Sequence, residues 1–387
     1  MEAYRTLLRV PGVPAQAVGG LLAQVTQGVA PIGTVLIVDE AAGSLTVAGL
    51  AVAGFSLGAG VARPVQGRII DARGPRPVLA ATGAVHAAAL VALVLGARYG
   101  VPAWTLVALA TLAGLALPPV SVTMRVAWGQ LADPAGRTAA YSLVFLVQEL
   151  AILAGPLAFA VIVAAVSTRT AVAVVAVAAG AGTFALAWTV RGVRASTAAG
   201  PRSNPLRSNG MRLLFAVVVL VGGTIGALEV GLPALASERG APAASGALVA
   251  ALSLGGIAGA IGYGVPRWTV RPAARLVALL AAMAGALALV AVLGPLAAIG
   301  VALFLAGIAL NPALTTASLL VDELTTAQAE AFGWLSTAIG VGGAAAGALA
   351  GVVGQRAGAA GALALPALFA IAGALLALPL TRPPPAG

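Results

Sequence analysis

Uncharged runs long enough to cross a bilayer recur along nearly the whole chain, and no other feature constrains its fold as much. A helix rises about 1.5 Å per residue and needs roughly 20 apolar residues to traverse the hydrocarbon core. Runs of that length lie at 10–38, 41–62, 77–97, 99–124, 170–190, 240–266, 331–355 and 357–381. The stretch 276–321 is also uncharged and carries Gly294-Pro295 near its middle, which reads as two spans joined by a turn. Two further segments, 138–168 and 213–237, are each interrupted by one glutamate. The expectation is an all-α membrane protein with twelve transmembrane helices.

Composition closes off the other classes. A soluble domain carries roughly a quarter charged residues, whereas this chain carries 8%, with 60% hydrophobic residues and a mean hydropathy of +1.05. All 21 basic residues are arginine, and the net charge is +10. They are spread among short gaps between apolar runs, so no basic face exists to follow a phosphate backbone, and nucleic acid is excluded as a partner. The absence of lysine excludes a P-loop ATPase. The absence of cysteine excludes disulfides, thiolate chemistry and cysteine-based metal sites, and one histidine among scattered acids leaves little room for a metal cluster. No cofactor is expected, and no nucleophile–base constellation points to an enzyme. Residues 1–9 are too charged for the apolar core of a signal peptide and 10–38 is too long for one, so the first span is expected to be retained.

The arginines also orient the chain. With the N-terminus inside, the inner side receives Arg5, Arg9, Arg68, Arg73, Arg76, Arg125, Arg137, Arg191, Arg194, Arg202, Arg207, Arg212, Arg267, Arg271, Arg275 and Arg382. The outer side receives Arg98, Arg169, Arg239 and Arg356, with Arg63 set aside as lying within a helix and snorkelling inward. Both termini are therefore placed in the cytoplasm. The longest polar stretch, 191–212, has the composition of a flexible linker. It divides an N-terminal six-helix bundle, 1–190, from a C-terminal one, 213–387.

The two sides echo each other. Ala140-Tyr141-Ser142-Leu143 opens the fifth run as Ala331-Phe332-Gly333-Trp334 opens the eleventh, and Ser56-Leu57-Gly58 recurs as Ser253-Leu254-Gly255. Such a six-plus-six repeat places a substrate site between the halves near the midplane, served by alternating access.

Between the second and third runs lies Gly67-Arg68-Ile69-Ile70-Asp71-Ala72-Arg73-Gly74-Pro75-Arg76-Pro77-Val78-Leu79, read as a tight turn. Its pattern Gly-x-x-x-Asp-x-x-Gly-x-Arg resembles the signature loop of the major facilitator superfamily. It departs at Ala72 and Pro75, where that family often has basic residues, and Arg73 supplies a charge one position later. The resemblance implies that Gly67, Asp71, Arg73, Gly74 and Arg76 form a charged inter-helix network stabilising one access state. Arg125, taken to close the fourth span beside Trp128, is read as an interfacial anchor or a partner for Asp71. The matching loop of the second half, 266–271, keeps its arginines but has no acid.

Leu117-Pro118-Pro119 and Arg125, followed by Ala140-Tyr141-Ser142-Leu143, look like bacterial efflux-type members, and Gly155-Pro156 resembles a fragment of the fifth-helix motif of drug/proton antiporters. The resemblance implies a monomeric, proton-coupled exporter in the bacterial plasma membrane, acting on small apolar or sugar-like compounds. Alternatives with the same architecture are a uniporter or proton symporter; a non-transporting membrane scaffold or receptor is a third.

Glu149 lies about 16 Å into the fifth run at 1.5 Å per residue. A carboxylate at that depth is costly and by default marks a functional path or a buried partner. It is the leading candidate for the coupling proton, against a permanent hydrogen bond or a direct substrate contact. Glu229 in the seventh run is a second candidate, or a residue of the water-facing rim. Gln24, Thr26, Gln27 and Gln148 are candidates for the cavity wall, or for helix–helix hydrogen bonds. Asn311 adds a further cavity candidate, and Asn311-Pro312 marks a kink in the tenth run. His86 reads as packed and hydrogen-bonded rather than as a relay, and Asp39 and Glu40 as loop acids. Asp322, Glu323 and Glu330 read as an acidic patch that pairs with basic inner loops or is solvated. The partners expected are the lipid bilayer, a small-molecule substrate and protons.

Overall fold

The computed structural model describes residues 2–190, 193, 204–242 and 244–382. Its helices are α1 (Glu2–Arg9), α2 (Val13–Ala42), α3 (Leu45–Arg73), α4 (Pro75–Tyr99), α5 (Ala103–Leu115), α6 (Val120–Leu131), α7 (Arg137–Ala165) and α8 (Thr168–Thr189). They continue as α9 (Asn209–Glu238), α10 (Ala244–Tyr263), α11 (Pro272–Val292), α12 (Leu296–Leu324) and α13 (Gln328–Ala377). Of the expected linker, 191–192 and 194–203 lie outside the described residues, while Pro205–Arg207 forms one turn of 3₁₀ helix and α9 has already begun at Asn209.

The boundaries have local causes. Ser44, Ser167 and Ser208 cap α3, α8 and α9 by accepting from Val47, Thr170 and Met211 N–H, which satisfies donors that a helix start leaves open. Pro75 and Pro272 open α4 and α11, where a missing N–H costs nothing.

Among the described residues, eleven stretches are long and apolar enough to cross a membrane, with α5 and α6 forming one and α13 with its following turn another. The backbone divides into two compact units. An N-terminal unit holds Arg5–Leu131 and Val147–Ala199; a C-terminal unit holds Gly200–Gly387 together with Met1–Tyr4 and Ala132–Leu146.

In the N-terminal unit α2 is the axis. It runs antiparallel to α8, with Gln16 Nε2 on the Thr189 carbonyl, Gly19 against Gly182 and Gly33 against Val172. It runs parallel to α7, with Gly28 against Ile152 and Gly33 against Phe159. Parallel contacts also join α3 to α5, where Gly54 meets Thr111 and Gly58 meets Leu115.

The C-terminal unit uses the same devices. The first part of α13 runs parallel to α9, with Gly222 against Ile339 and Gly226 against Gly343. Beyond Gly358 the order inverts, with Gly231 against Leu363 and Thr224 Oγ1 on the Pro366 carbonyl. The chain therefore turns back at Gly358, whose φ of 69° and ψ of −178° suit glycine. Glu238, at the end of α9, accepts from Ala359 N at 2.7 Å and so caps the returning helix with a negative charge. Parallel contacts again join α10 to α12, at Gly255 with Phe304 and Gly259 with Ile308.

Between α5 and α6 the helix breaks at Ala116–Pro119, where prolines remove donors and leave carbonyls open. Gln66 Nε2 reaches the Leu115 and Leu117 carbonyls at 3.1 and 3.2 Å, and His86 Nδ1 reaches Ala113 at 2.8 Å. His86 is thus packed and bonded as expected, fully buried with Phe55 at its edge.

Several expectations change. The signature stretch is not a loop: Gly67 to Arg73 complete α3, and the turn is Gly74 alone, with φ 80°. Asp39 and Glu40 belong to the last turns of α2 rather than a loop, and Glu40 accepts from Thr168 Oγ1. The fourth span does not close at Arg125. It continues to Leu131, so Arg125 is 5% exposed and Trp128 is fully buried with its indole N–H on Gln16 Oε1 at 2.7 Å. Neither is an interfacial anchor. Outside the spans, α1 docks through Tyr4, whose hydroxyl donates to the Ala260 carbonyl at 2.6 Å; burial pushes its pKa up to about 12.

Two glycines of α13 should respond oppositely to alanine. A Cβ on Gly342 would fall on the Val219 carbonyl, while one on Gly340 would meet nothing within 4 Å. Gly342→Ala should destabilise by about 1–3 kcal/mol through overpacking, and Gly340→Ala should stabilise by roughly 0.5–1 kcal/mol; melting of the detergent-solubilised protein reads both. Gln66→Leu strips donors from two buried carbonyls and should cost about 1–3 kcal/mol by the same assay.

Candidate functional site

One set of buried polar groups in the N-terminal unit lies on α2 and on the two helices, α6 and α7, that touch it. Small residues bring the backbones close: Gly20 lies on Met124, Gly28 on Ile152, and Gly155 on the Val25 carbonyl. Gln24, Thr26 and Gln27 sit on α2 between these contacts; Thr123 and Arg125 flank Met124 on α6; Gln148 and Glu149 lie one turn before Ile152 on α7. Gln24 is fully buried, with Nε2 on its own helix at the Gly20 carbonyl (3.1 Å) and 4.0 Å from the Met124 sulfur.

Four polar oxygens here have no partner among the described residues: Gln24 Oε1, Thr26 Oγ1, Thr123 Oγ1 and Gln148 Oε1. An unmade hydrogen bond on a buried group costs about 1–3 kcal/mol, so such a set invites a ligand with O–H or N–H donors. Gln27, Gln148 and Glu149 are half-buried. Of the four cavity candidates, Gln24 and Gln27 thus lie on α2, and Gln148, next to Glu149, on the α7 that α2 touches at Gly28 and Ile152. Thr123 belongs with them and had no distinguishing mark in the sequence, since its run looked like the end of a span.

The remaining candidates lie elsewhere. In the C-terminal unit, Asn311 on α12 is 1% exposed, with Nδ2 unpartnered among the described residues. Glu229 lies on an exposed face of α9. In the signature segment, Gly67 is buried, Asp71 is half-buried, and Arg73 and Arg76 are exposed at the α3–α4 turn. Arg63 is a half-buried residue of α3.

A second constellation lies within the C-terminal unit. Asp322, near the end of α12, has a side chain 6% exposed and is ringed by donors. Tyr141 Oη lies 2.9 and 2.8 Å from its two oxygens, Gln328 Nε2 is 2.8 Å from Oδ1, and Arg137 Nη1 is 3.3 Å from Oδ2. Tyr141 in turn meets Phe332 edge to face, with centroids 5.9 Å apart. The two echoed segments of the sequence therefore touch through their corresponding aromatic residues. Of the expected acidic patch, Asp322 is paired, Glu330 is buried and Glu323 is exposed.

Comparison with known proteins bears on this architecture. The sequence model of the Major Facilitator Superfamily matches residues 17–330. No curated protein sequence matches the chain. Among solved structures, the human organic anion transporter MFSD10 (TETRAN) superposes with a TM-score of 0.77 at 16% identity, covering 95% of this chain and 100% of that one. The E. coli fucose:proton symporter FucP gives 0.73 at 15% identity, covering 97% and 99%. A bacterial homologue of the iron transporter ferroportin, in its outward-facing state, gives 0.77 at 12% identity, covering 98% and 99%. Identities this low speak to the fold and leave substrate open. With the family model spanning most of the sequence, the chain belongs to the Major Facilitator Superfamily: a multi-pass membrane transporter in contact with lipid and a small-molecule substrate, and not an enzyme.

Proposed function

We propose that this protein is a secondary active transporter that exports small apolar or sugar-like compounds against a returning proton. The observation that carries the reading is the unpartnered amide and hydroxyl oxygens on α2, α6 and α7 beside the carboxylate of Glu149. Neutral acceptors suit a neutral substrate that brings its own donors, and hydroxylated compounds fit better than anions. Glu149 is the proton carrier, and Glu229 and Asn311 are the corresponding candidates of the second half.

The architecture proposed is two six-helix bundles, 1–190 and 213–387, joined by 191–212. The reversal at Gly358 supports counting α13 as two spans, for a total of twelve. Each half has a first helix with one parallel and one antiparallel neighbour, α2 and α9, and a second helix joined to a fourth by glycine contacts. Alternating access follows from such a repeat. The arginine distribution supports cytoplasmic termini, the resemblance to bacterial efflux-type members supports a bacterial plasma membrane, and the protein acts as a monomer. In this scheme Arg137 and Tyr141 on Asp322 form a latch that holds one access state. The signature residues Gly67, Asp71, Arg73, Gly74 and Arg76, with Arg125, serve the same switch. A proton symporter is the second reading, favoured by the likeness to the fucose:proton symporter and by the same amide-rich lining.

Proteoliposomes carrying a panel of neutral monosaccharides and lipophilic dyes, with and without an imposed pH gradient, test the scheme. Gradient-driven flux should appear for at least one class, and Glu149→Gln should abolish it while leaving a folded, inserted protein. Undiminished coupling in that variant sinks the proton assignment, and uptake rather than release along the gradient selects the symporter.

The latch is tested separately. The chain has no cysteine, so a single Thr138→Cys at a buried position next to Arg137 reports its opening by thiol labelling. Hydrogen bonds to a charged group contribute about 1.5–3 kcal/mol. Asp322→Asn or Arg137→Gln should therefore speed labelling at least about tenfold; an unchanged rate removes the latch.

A further inference from the structure

The C-terminal unit holds a pocket of about 220 Å³ whose wall includes Arg137, Arg267, Trp268, Pro272, Arg275 and Glu323. One water needs only about 10–15 Å³ of such space, so a polyatomic ion or headgroup fits. Arg275 sets its character. It is 8% exposed, and its Cζ lies 5.6 Å from the Tyr263 ring centroid and 5.3 Å from that of Trp268. Trp268 is held in place by its indole N–H on the Tyr263 carbonyl at 2.9 Å.

Aromatic faces compensate the charge of a guanidinium through its plane. They do nothing for N–H groups that point outward in that plane. Arg275 Nε and Nη1 are buried with no partner among the described residues. A packed arginine left with open N–H edges is a costly arrangement unless an acceptor completes it.

A second feature points the same way. Pro272, also in the pocket wall, is the first residue of α11, and no side chain caps that helix. Its open N–H groups and positive dipole end favour an anion. Arg267 is exposed at the rim. Arg137 lines the pocket while engaging Asp322, so that carboxylate is already spoken for. Glu323 is the opposing charge, and it is exposed.

The geometry points to an anion site, built on Arg275 and the α11 N-terminus, that takes a phosphate group. The phosphate belongs either to a free phosphorylated compound or to the headgroup of an anionic phospholipid. The site is separate from the polar set on α2, α6 and α7, and it holds whichever substrate that set takes. An occupant would sit beside Arg137 and compete with Asp322 for it, which makes it a modulator of the contact between α7 and α12.

The full-length protein in detergent is titrated with inorganic phosphate at constant ionic strength, balanced by chloride. In parallel it is placed in nanodiscs of phosphatidylcholine with increasing phosphatidylglycerol. A ligand that binds only the folded state raises Tm saturably. A saturable rise with phosphate identifies a free phosphorylated ligand, and a rise with phosphatidylglycerol alone identifies a lipid headgroup. Either must be lost in Arg275→Gln and weakened several-fold in Arg267→Gln, whose rim position keeps the test valid if the first variant does not fold. Glu323→Gln should tighten binding several-fold. No saturable rise with either probe, a rise that survives in both arginine variants, or one abolished by Glu323→Gln would overturn the site.

Discussion

In hydrocarbon no water is available to the backbone, so every N–H and C=O must find a partner within the protein. The helices here satisfy that demand through most of their length, and two of the breaks are answered by side chains. At Ala116–Pro119 the freed carbonyls are taken by Gln66 and His86 from α3 and α4. At Gly358 the returning helix is capped by Glu238 from α9. In both places a polar residue that looks expensive inside an apolar sequence is explained by backbone geometry elsewhere. Set apart from these are Gln24, Thr26, Thr123 and Gln148, each of which keeps a buried side-chain oxygen without a partner among the described residues.

The second constraint is close approach. Without a solvent-driven force between apolar helices, association rests on packing, and small residues let backbones touch. The chain has 50 glycines, yet they do not all work this way. Gly222, Gly226, Gly255, Gly259, Gly307 and Gly342 each lie against a carbonyl of the neighbouring helix; Gly246, Gly285 and Gly340 face open space. The contacting glycines fall where α9 meets α13 and where α10 meets α12, the same pairings in order that α2 and α3 make with α7 and α5. A bias towards small residues supplies many candidates, and the contact set selects among them.

Much of this was legible in the chain. The apolar runs located each spanning helix, because exclusion of charge over some twenty positions has one common cause, but where a helix ends in charged residues, as α3 does, the run stopped short of it. A tight turn between the second and third runs was legible from the charged gap, but its narrowing to Gly74 was not, because the charged residues before it complete α3. Arg125 and Trp128 were misplaced for the same reason: charge was taken as the end of a span, while the structure carries the helix two turns further and buries both residues. Asp39 and Glu40 were misassigned likewise. The ring around Asp322 was half legible. An acidic patch facing basic neighbours could be anticipated, but the choice of Arg137 and Tyr141 depends on segments some 180 positions apart, which no local pattern specifies. Arg275 gave no signal at all, since it counted as one more arginine on the inner side.

The sparse charge of the chain makes its distribution informative. Eleven carboxylates serve the whole protein, and several have structural work: Glu238 caps a helix, Glu40 takes the Thr168 hydroxyl, and Asp322 gathers Arg137, Tyr141 and Gln328. Each of these three sits in the last turns of a helix, where hydrogen-bond donors from another segment can reach it. Glu149 breaks that rule. It sits in the body of α7, one turn from the tight contact with α2 and among amides that lack partners. A helix end needs a carboxylate for geometry, and the middle of a span does not. A carboxylate at that depth is costly, and the proposed proton role is one answer to that cost.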